Sequence, residues 1–113
     1  MITLGVIGYG YWGPNIVRNF SSHQDCKVVA VCDKNPVALA RVLIQHPNIR
    51  LMTDAEDLIT SSEIDAVAIV TPVSYHYELA KKALENGKHV FVEKPFTATS
   101  AEAEELIDRK SVV

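Results

Sequence analysis

Four short stretches of the chain carry residue types and spacings suited to chemistry. Gly8-Tyr9-Gly10-Tyr11-Trp12-Gly13 places glycines in a GxGxxG pattern. In such a loop Gly8 allows a tight turn, Gly10 lets the backbone approach a bulky anion, and Gly13 permits a helix to pack closely on a strand. Free N–H groups at the start of that helix, together with its dipole, hold the negative charge. Taken alone, the pattern equally suits a structural strand-to-helix turn with no ligand. Its setting favours the stronger reading, because an apolar run precedes it and a helical pattern follows. Asp33 then closes the next apolar run 20 residues beyond Gly13. That is the spacing of a dinucleotide fingerprint, whose acidic residue accepts hydrogen bonds from a ribose 2′-hydroxyl. A carboxylate there repels a 2′-phosphate. Lys34 softens the repulsion, but no arginine follows to clamp a phosphate, so Asp33 favours NAD over NADP. Asp33 also suits capping of the next helix, a role compatible with binding. Tyr9, Tyr11 and Trp12 lie in the loop, and Trp12 either packs over a dinucleotide or anchors the helix.

The second stretch, Thr71-Pro72-Val73-Ser74-Tyr75-His76, follows the apolar run DAVAIV. Across the point where strand order reverses, its loop borders the ligand crevice, with Thr71 and Pro72 passing close to a cofactor. His76 falls in the first turn of the following helix, where a lone histidine suits a ligand contact or a solvated surface position. The third stretch is Glu93-Lys94-Pro95, at the end of the last apolar run. A lysine beside a nicotinamide ribose stabilises a developing alkoxide or orients a substrate hydroxyl. Without the first two stretches, a solvated strand-end pair closed by Pro95 is the simpler account. The histidines (His23, His46, His76 and His89) share no metal-ligand spacing with one another or with Cys26 and Cys32.

The elements that must position these residues alternate. Met1 to Ile7 reads as a buried strand, Gly8 to Gly13 as a loop, and Pro14 fits the first turn of a helix running to Ser21. Lys27 to Cys32 is a second strand. Asn35 caps a helix whose apolar residues from Val37 to Leu43 pack inward, ending at Pro47. A weak strand covers Ile49 to Met52, and Thr53 or Asp54 caps a short helix with Leu58 and Ile59. Asp65 to Val70 is a strand, Ser74 caps a helix over Tyr75 to Glu85, and Gly87 terminates it. Lys88 to Val92 is the last strand, and Thr99 or Ser100 opens a final helix. Strands that are apolar throughout, alternating with helices, predict a parallel sheet covered on both faces: one α/β unit over residues 1–113, doubly wound and Rossmann-like.

Composition narrows the function classes. The chain has 113 residues, 48% of them hydrophobic, with a net charge of −3. That length suits one core, and the hydrophobic share excludes wholesale disorder. The mild acidity, with no basic run, argues against nucleic acid or an anionic membrane surface as partner. No apolar run approaches the roughly 20 residues of a membrane span, and Met1 is not followed by a basic segment and a long apolar one, as in a signal peptide. Two cysteines without CxxC spacing read as free thiols in a reducing compartment, so the expectation is a cytoplasmic protein.

Four blocks in order, GVIGYGYWGPNIVRNF (Gly5 to Phe20), VCD (Val31 to Asp33), TPVSYHYELAKKAL (Thr71 to Leu84) and GKHVFVEKP (Gly87 to Pro95), together resemble the N-terminal domain of the glucose–fructose oxidoreductase / inositol dehydrogenase (Gfo/Idh/MocA) family. The resemblance runs from Met1 to about Ile107. It implies hydride transfer between a nicotinamide cofactor and a carbinol carbon of a sugar, nucleotide-sugar or cyclitol. It further implies that Gly8, Gly10, Tyr11, Trp12, Gly13, Asp33 and Lys34 bind the adenosine and pyrophosphate half. Thr71, Pro72 and His76 would lie along the cofactor, Glu93 near the nicotinamide, and Lys94 at the position linked to substrate and proton handling. Family members continue into a second α/β domain that supplies most of the substrate pocket. The resemblance therefore implies a Rossmann-like unit truncated before that domain, binding dinucleotide but turning over slowly or not at all. Substrate would engage only with the missing domain. Lys88 to Val92, as an open sheet edge, would favour self-association. The competing expectation is a non-catalytic dinucleotide-binding or sensing module, or an inactive fragment.

Overall fold

The computed structural model describes residues 1–10, 13–71 and 73–92, with the backbone alone for residues 73–76 and 92. The elements alternate as the apolar runs require: β1 (Ile2–Ile7), α1 (Gly13–Ser21), β2 (Cys26–Cys32), α2 (Pro36–Gln45), β3 (Arg50–Met52), α3 (Ala55–Thr60), β4 (Ala66–Ile69), α4 (Val73–Glu85) and β5 (His89–Val92). The strands form one five-stranded sheet in the order β3-β2-β1-β4-β5. Each neighbouring pair is parallel. The chain winds outward from β1 to β3, then crosses back to β4 on the other side of β1. The fold is the doubly wound Rossmann arrangement, with its reversal of strand order between β1 and β4.

Alternation along each strand splits the core in two. Leu4, Val6, Val28, Val31 and Ala68 face α1 and α2, where they pack with Val17, Ala38, Leu39 and Val42. Ile7, Ala30, Cys32, Val67, Ile69 and Val90 face α3 and α4, meeting Leu58, Ile59, Ala80, Ala83 and Leu84. The β1–β2 register slips between Leu4 and Gly5, so Leu4 pairs with Val28 and Gly5 with Ala30. This bulge leaves Val28 and Val31 on the same face despite their odd spacing.

Asn35 caps α2 through its side chain, which accepts the Val37 N–H at 2.9 Å, and Asp54 caps α3 in the same way through Glu56. Three expectations need correction. Val37 and Leu43 do not pack inward, being 65% and 51% exposed; at about 100° per residue only Ala38, Leu39 and Val42 share the sheet-facing side. Helix α4 begins at Val73, so Ser74 lies inside its first turn and is not the cap. Lys88 is not part of β5. Its buried Nζ turns back to donate to the carbonyls of Ser61 (2.5 Å) and Ile64 (2.6 Å), tying the turn before β5 to the α3–β4 connection. The expected helix from Thr99 or Ser100 lies outside the described residues.

β3 and β5 are the outer strands among the described residues. On β5, Val90 is buried and Phe91 meets Phe20 edge-on, with ring centroids 5.5 Å apart. Among the described residues no helix is long and apolar enough to cross a membrane.

Replacing Lys88 with Met keeps the stem but removes the donor from two carbonyls. We expect a loss of about 1–3 kcal/mol, read as a lower denaturant midpoint with unchanged slope. An unchanged midpoint would show that the carbonyls are satisfied without it.

Candidate functional site

In a doubly wound sheet, ligands bind at the carboxyl ends of the strands, beside the reversal point. Three segments converge there. β1 ends at Ile7 and enters the glycine loop, β2 ends at Cys32 before Asp33, and β4 ends at Ile69 before Val70 and Thr71. Gly8 sits among all three. Its N–H donates to the Cys32 carbonyl at 2.7 Å, and Val70 donates to Ile7 at 2.8 Å. Gly8 has φ 101°, and a Cβ on it would stand 3.0 Å from the Thr71 nitrogen and from the Val70 carbonyl carbon. Both the backbone angle and the lack of room demand glycine.

The other two loop glycines differ from each other. A Cβ on Gly13, at the start of α1, would fall 2.9 Å from the Gly8 carbonyl oxygen, so Gly13 lets the helix close onto the loop. Gly10 is exposed, has no left-handed φ, and its Cβ would meet nothing within 4 Å among the described residues. Among the described residues neither sterics nor backbone angle requires glycine there. Gly10 precedes α1, which has no acidic residue in its first turn to oppose an anion.

Asp33 anchors this arrangement. Its Oδ2 accepts the Tyr9 N–H at 2.8 Å and its Oδ1 accepts the Asn35 N–H at 2.8 Å, while its own N–H donates to Met52. Asn35, not Asp33, is the helix cap. Each carboxylate oxygen has capacity for a further donor, as recognition of a ribose diol requires. Asp33 is half-buried, and Lys34 beside it is exposed. Tyr9 differs from its sequence reading as a loop aromatic: its side chain is 1% exposed within the α1/α2-facing core, where burial raises the phenol pKa and Arg41 opposes the rise. Behind Asp33, the Cys32 thiol is pushed up to about 11, first by burial and then by the carboxylates of Asp33, Asp54 and Asp57, with Lys34 opposing. It is held as an unreactive thiol.

Gly8, Gly10, Gly13, Asp33, Lys34 and Thr71 thus gather around the carboxyl end of the sheet. His76 is in the first turn of α4 at the same end, its backbone alone described. Tyr11, Trp12, Pro72, Glu93 and Lys94 lie outside the described residues. The Tyr9 amide and the Cys32 carbonyl were not legible as site groups, because both contacts depend on the β1–β2 register. Among the described residues no set of three or more His, Cys, Asp or Glu side chains is grouped to hold a metal ion. A separate hollow of about 550 Å³ opens at the amino ends of the strands, lined in part by Met1, His23, Cys26 and His46, far from the glycine loop.

A family described as an oxidoreductase family with an NAD-binding Rossmann fold (Gfo/Idh/MocA) matches residues 2–111. The chain belongs to that family. Among solved Gfo/Idh/MocA structures it is similar to scyllo-inositol dehydrogenase from Lactobacillus casei with bound NAD(H) and scyllo-inositol, at TM-score 0.85 and 30% identity over 94% of this chain and 32% of that one. The uncharacterised oxidoreductase YdgJ of Escherichia coli is 35% identical over 93% of this chain and 30% of its own length. The 2,7-anhydro-N-acetylneuraminate hydratase of Escherichia coli is 35% identical over 95% of this chain and 28% of its own length. The chain therefore corresponds to the NAD-binding domain of Gfo/Idh/MocA oxidoreductases and spans about a third or less of the length of these relatives.

The two glycines give opposite expectations for stability. Gly13→Ala forces backbone apart and costs about 1–3 kcal/mol, whereas Gly10→Ala stays within about 0.5 kcal/mol of the parent; denaturant titration of both checks the pair. Cys32 gives a pH prediction. Its folded pKa of about 11 exceeds the ordinary 9.0, so the unfolded chain loses the thiol proton first. The contribution to stability is fully present below pH 9 and is lost as the pH rises through about 11. A Cys32→Ala chain should show a smaller decline over that window.

Proposed function

We propose that residues 1–113 bind NAD(H) as the cofactor unit of an enzyme that oxidises or reduces a carbinol carbon of a sugar, nucleotide-sugar or cyclitol. The observation that carries this reading is the pairing of an exposed Gly10, whose Cβ would meet nothing within 4 Å among the described residues, with an Asp33 carboxylate hydrogen-bonded to the same loop at 2.8 Å. The pyrophosphate lies over the loop from Gly10 through Tyr11 and Trp12 to Gly13, at the positive end of α1. Asp33 accepts the adenosine ribose hydroxyls and, being anionic, disfavours a 2′-phosphate, with Lys34 as a weak counterweight. NAD is therefore preferred over NADP.

Thr71, Pro72 and His76 lie along the cofactor, Glu93 borders the nicotinamide end, and Lys94 holds the substrate hydroxyl and its proton. Bound NAD(H) supplies the hydride acceptor or donor. Relatives extend well beyond the stretch that this chain matches, and the remaining substrate pocket is proposed to come from that part, because orienting a substrate against the nicotinamide needs walls on its far side. The substrate class is supported by the 30% identical Lactobacillus casei enzyme, solved with NAD(H) and scyllo-inositol.

Calorimetric titration with NAD⁺, NADH, NADP⁺ and NADPH tests the reading. We expect NAD(H) to bind more tightly than NADP(H), with the preference narrowed by Asp33→Ala. Gly10→Ala should lose about tenfold or more in NADH affinity while remaining folded. A folded chain that binds none of the four nucleotides would overturn the proposal.

A further inference from the structure

The hydrogen bonds of Asp33 reach past ribose recognition. β1 and β2 pair as far as Ile7 with Cys32. Beyond that last pair, two successive loop amides turn to two successive residues of β2's end: Gly8 N–H to the Cys32 carbonyl at 2.7 Å, and Tyr9 N–H to Asp33 Oδ2 at 2.8 Å. The Asp33 carboxylate thus adds one more rung to the ladder, made by a side chain. Tyr9 is 1% exposed with the carboxylate in place, and its bond to Asp33 is part-buried. Removing the carboxylate takes from the N–H its protein partner and from the loop the bond that fixes it to the end of β2. The second oxygen, through Asn35 N–H at 2.8 Å, fixes the carboxylate against the start of α2. Both Gly8 and Tyr9 have thereby spent their donors inside the protein, and an incoming phosphate must be met by amides from Gly10 onward.

We infer that Asp33 is a positioning residue for the glycine loop, holding it in its anion-binding form before any ligand arrives. This rests on the dinucleotide reading above, but it separates from ribose recognition by a difference in sign. If Asp33 only reads the ribose, removing it leaves a ligand without ribose hydroxyls unaffected, or binds it more tightly because a negative charge near the pyrophosphate is gone. If Asp33 positions the loop, the same ligand binds more weakly.

The experiment compares NADH with its 2′,3′-dideoxyadenosine analogue on the parent chain, Asp33→Ala and Asp33→Asn, with amide exchange of Tyr9 measured in each free protein. Asp33→Asn keeps one acceptor oxygen for the Tyr9 N–H. We expect Asp33→Ala to lose Tyr9 amide protection and to weaken the dideoxy analogue by about fivefold or more. Asp33→Asn should recover most of both losses. Unchanged or tighter binding of the analogue by a folded Asp33→Ala chain, or Tyr9 protection equal to the parent's, would overturn the inference while leaving the cofactor reading intact. If the parent chain binds NADH at no measurable level, the cofactor reading fails and this inference with it.

Discussion

Everything at the carboxyl end of the sheet depends on how tightly Gly8 is enclosed. Its amide bonds to the end of β2, its α-carbon presses on the end of β4, and its carbonyl oxygen lies under the start of α1. A Cβ there would be strained at φ 101° and would crowd the backbone of Val70 and Thr71 at 3.0 Å. Gly8 thus joins β1, β2 and β4 beside the reversal point of the sheet. Helix α1 then starts at the same end of the sheet, with Gly13 buried against the Gly8 carbonyl. The site is a consequence of strand order, and the loop glycines are the means by which the backbone survives the crowding there.

The two-sided core makes this crowding tolerable. Val6 and Ile7 lie on opposite faces of β1 and are both buried, so the strand entering the loop is fixed from both sides. Tyr9 extends that anchoring into the loop itself, placing its ring in the α1/α2-facing layer while its amide bonds to Asp33. The loop is thus tethered by packing and by hydrogen bonds before Gly10, where the backbone opens. A rigid entry to the loop is what pre-organised anion binding calls for. At the opposite end of the sheet, Lys88 and the Thr3–Asp65 contacts, at 3.0 Å between side chains, hold the strand beginnings together.

Much of this was readable from residue types because parallel, two-face-buried strands leave an unmistakable apolar signature. MITLGVI, KVVAVC and DAVAIV each became a strand within a residue or two, and the glycine spacing with Asp33 picked out residues that gather at the carboxyl end of the sheet. What was not readable depends on register or rotation. The bulge at Val29, the outward turn of Val37 and Leu43, and the Asp33–Tyr9 bond follow from how elements lie against each other, which a linear pattern does not encode. Lys88 misled for a related reason: a lysine beside an apolar run looks like an exposed strand end, and only the fold brings the carbonyls of Ser61 and Ile64 within its reach.

The central claim is that a dinucleotide binds at the carboxyl end of this sheet, across the glycine loop and Asp33. Amide chemical-shift mapping of the labelled chain during NADH titration tests it most directly. The account predicts saturable shifts concentrated at Gly8 to Gly13, Asp33 to Asn35 and Thr71. Shifts confined to the hollow near Met1, His23 and His46, or no saturable shifts in a folded chain, would contradict it.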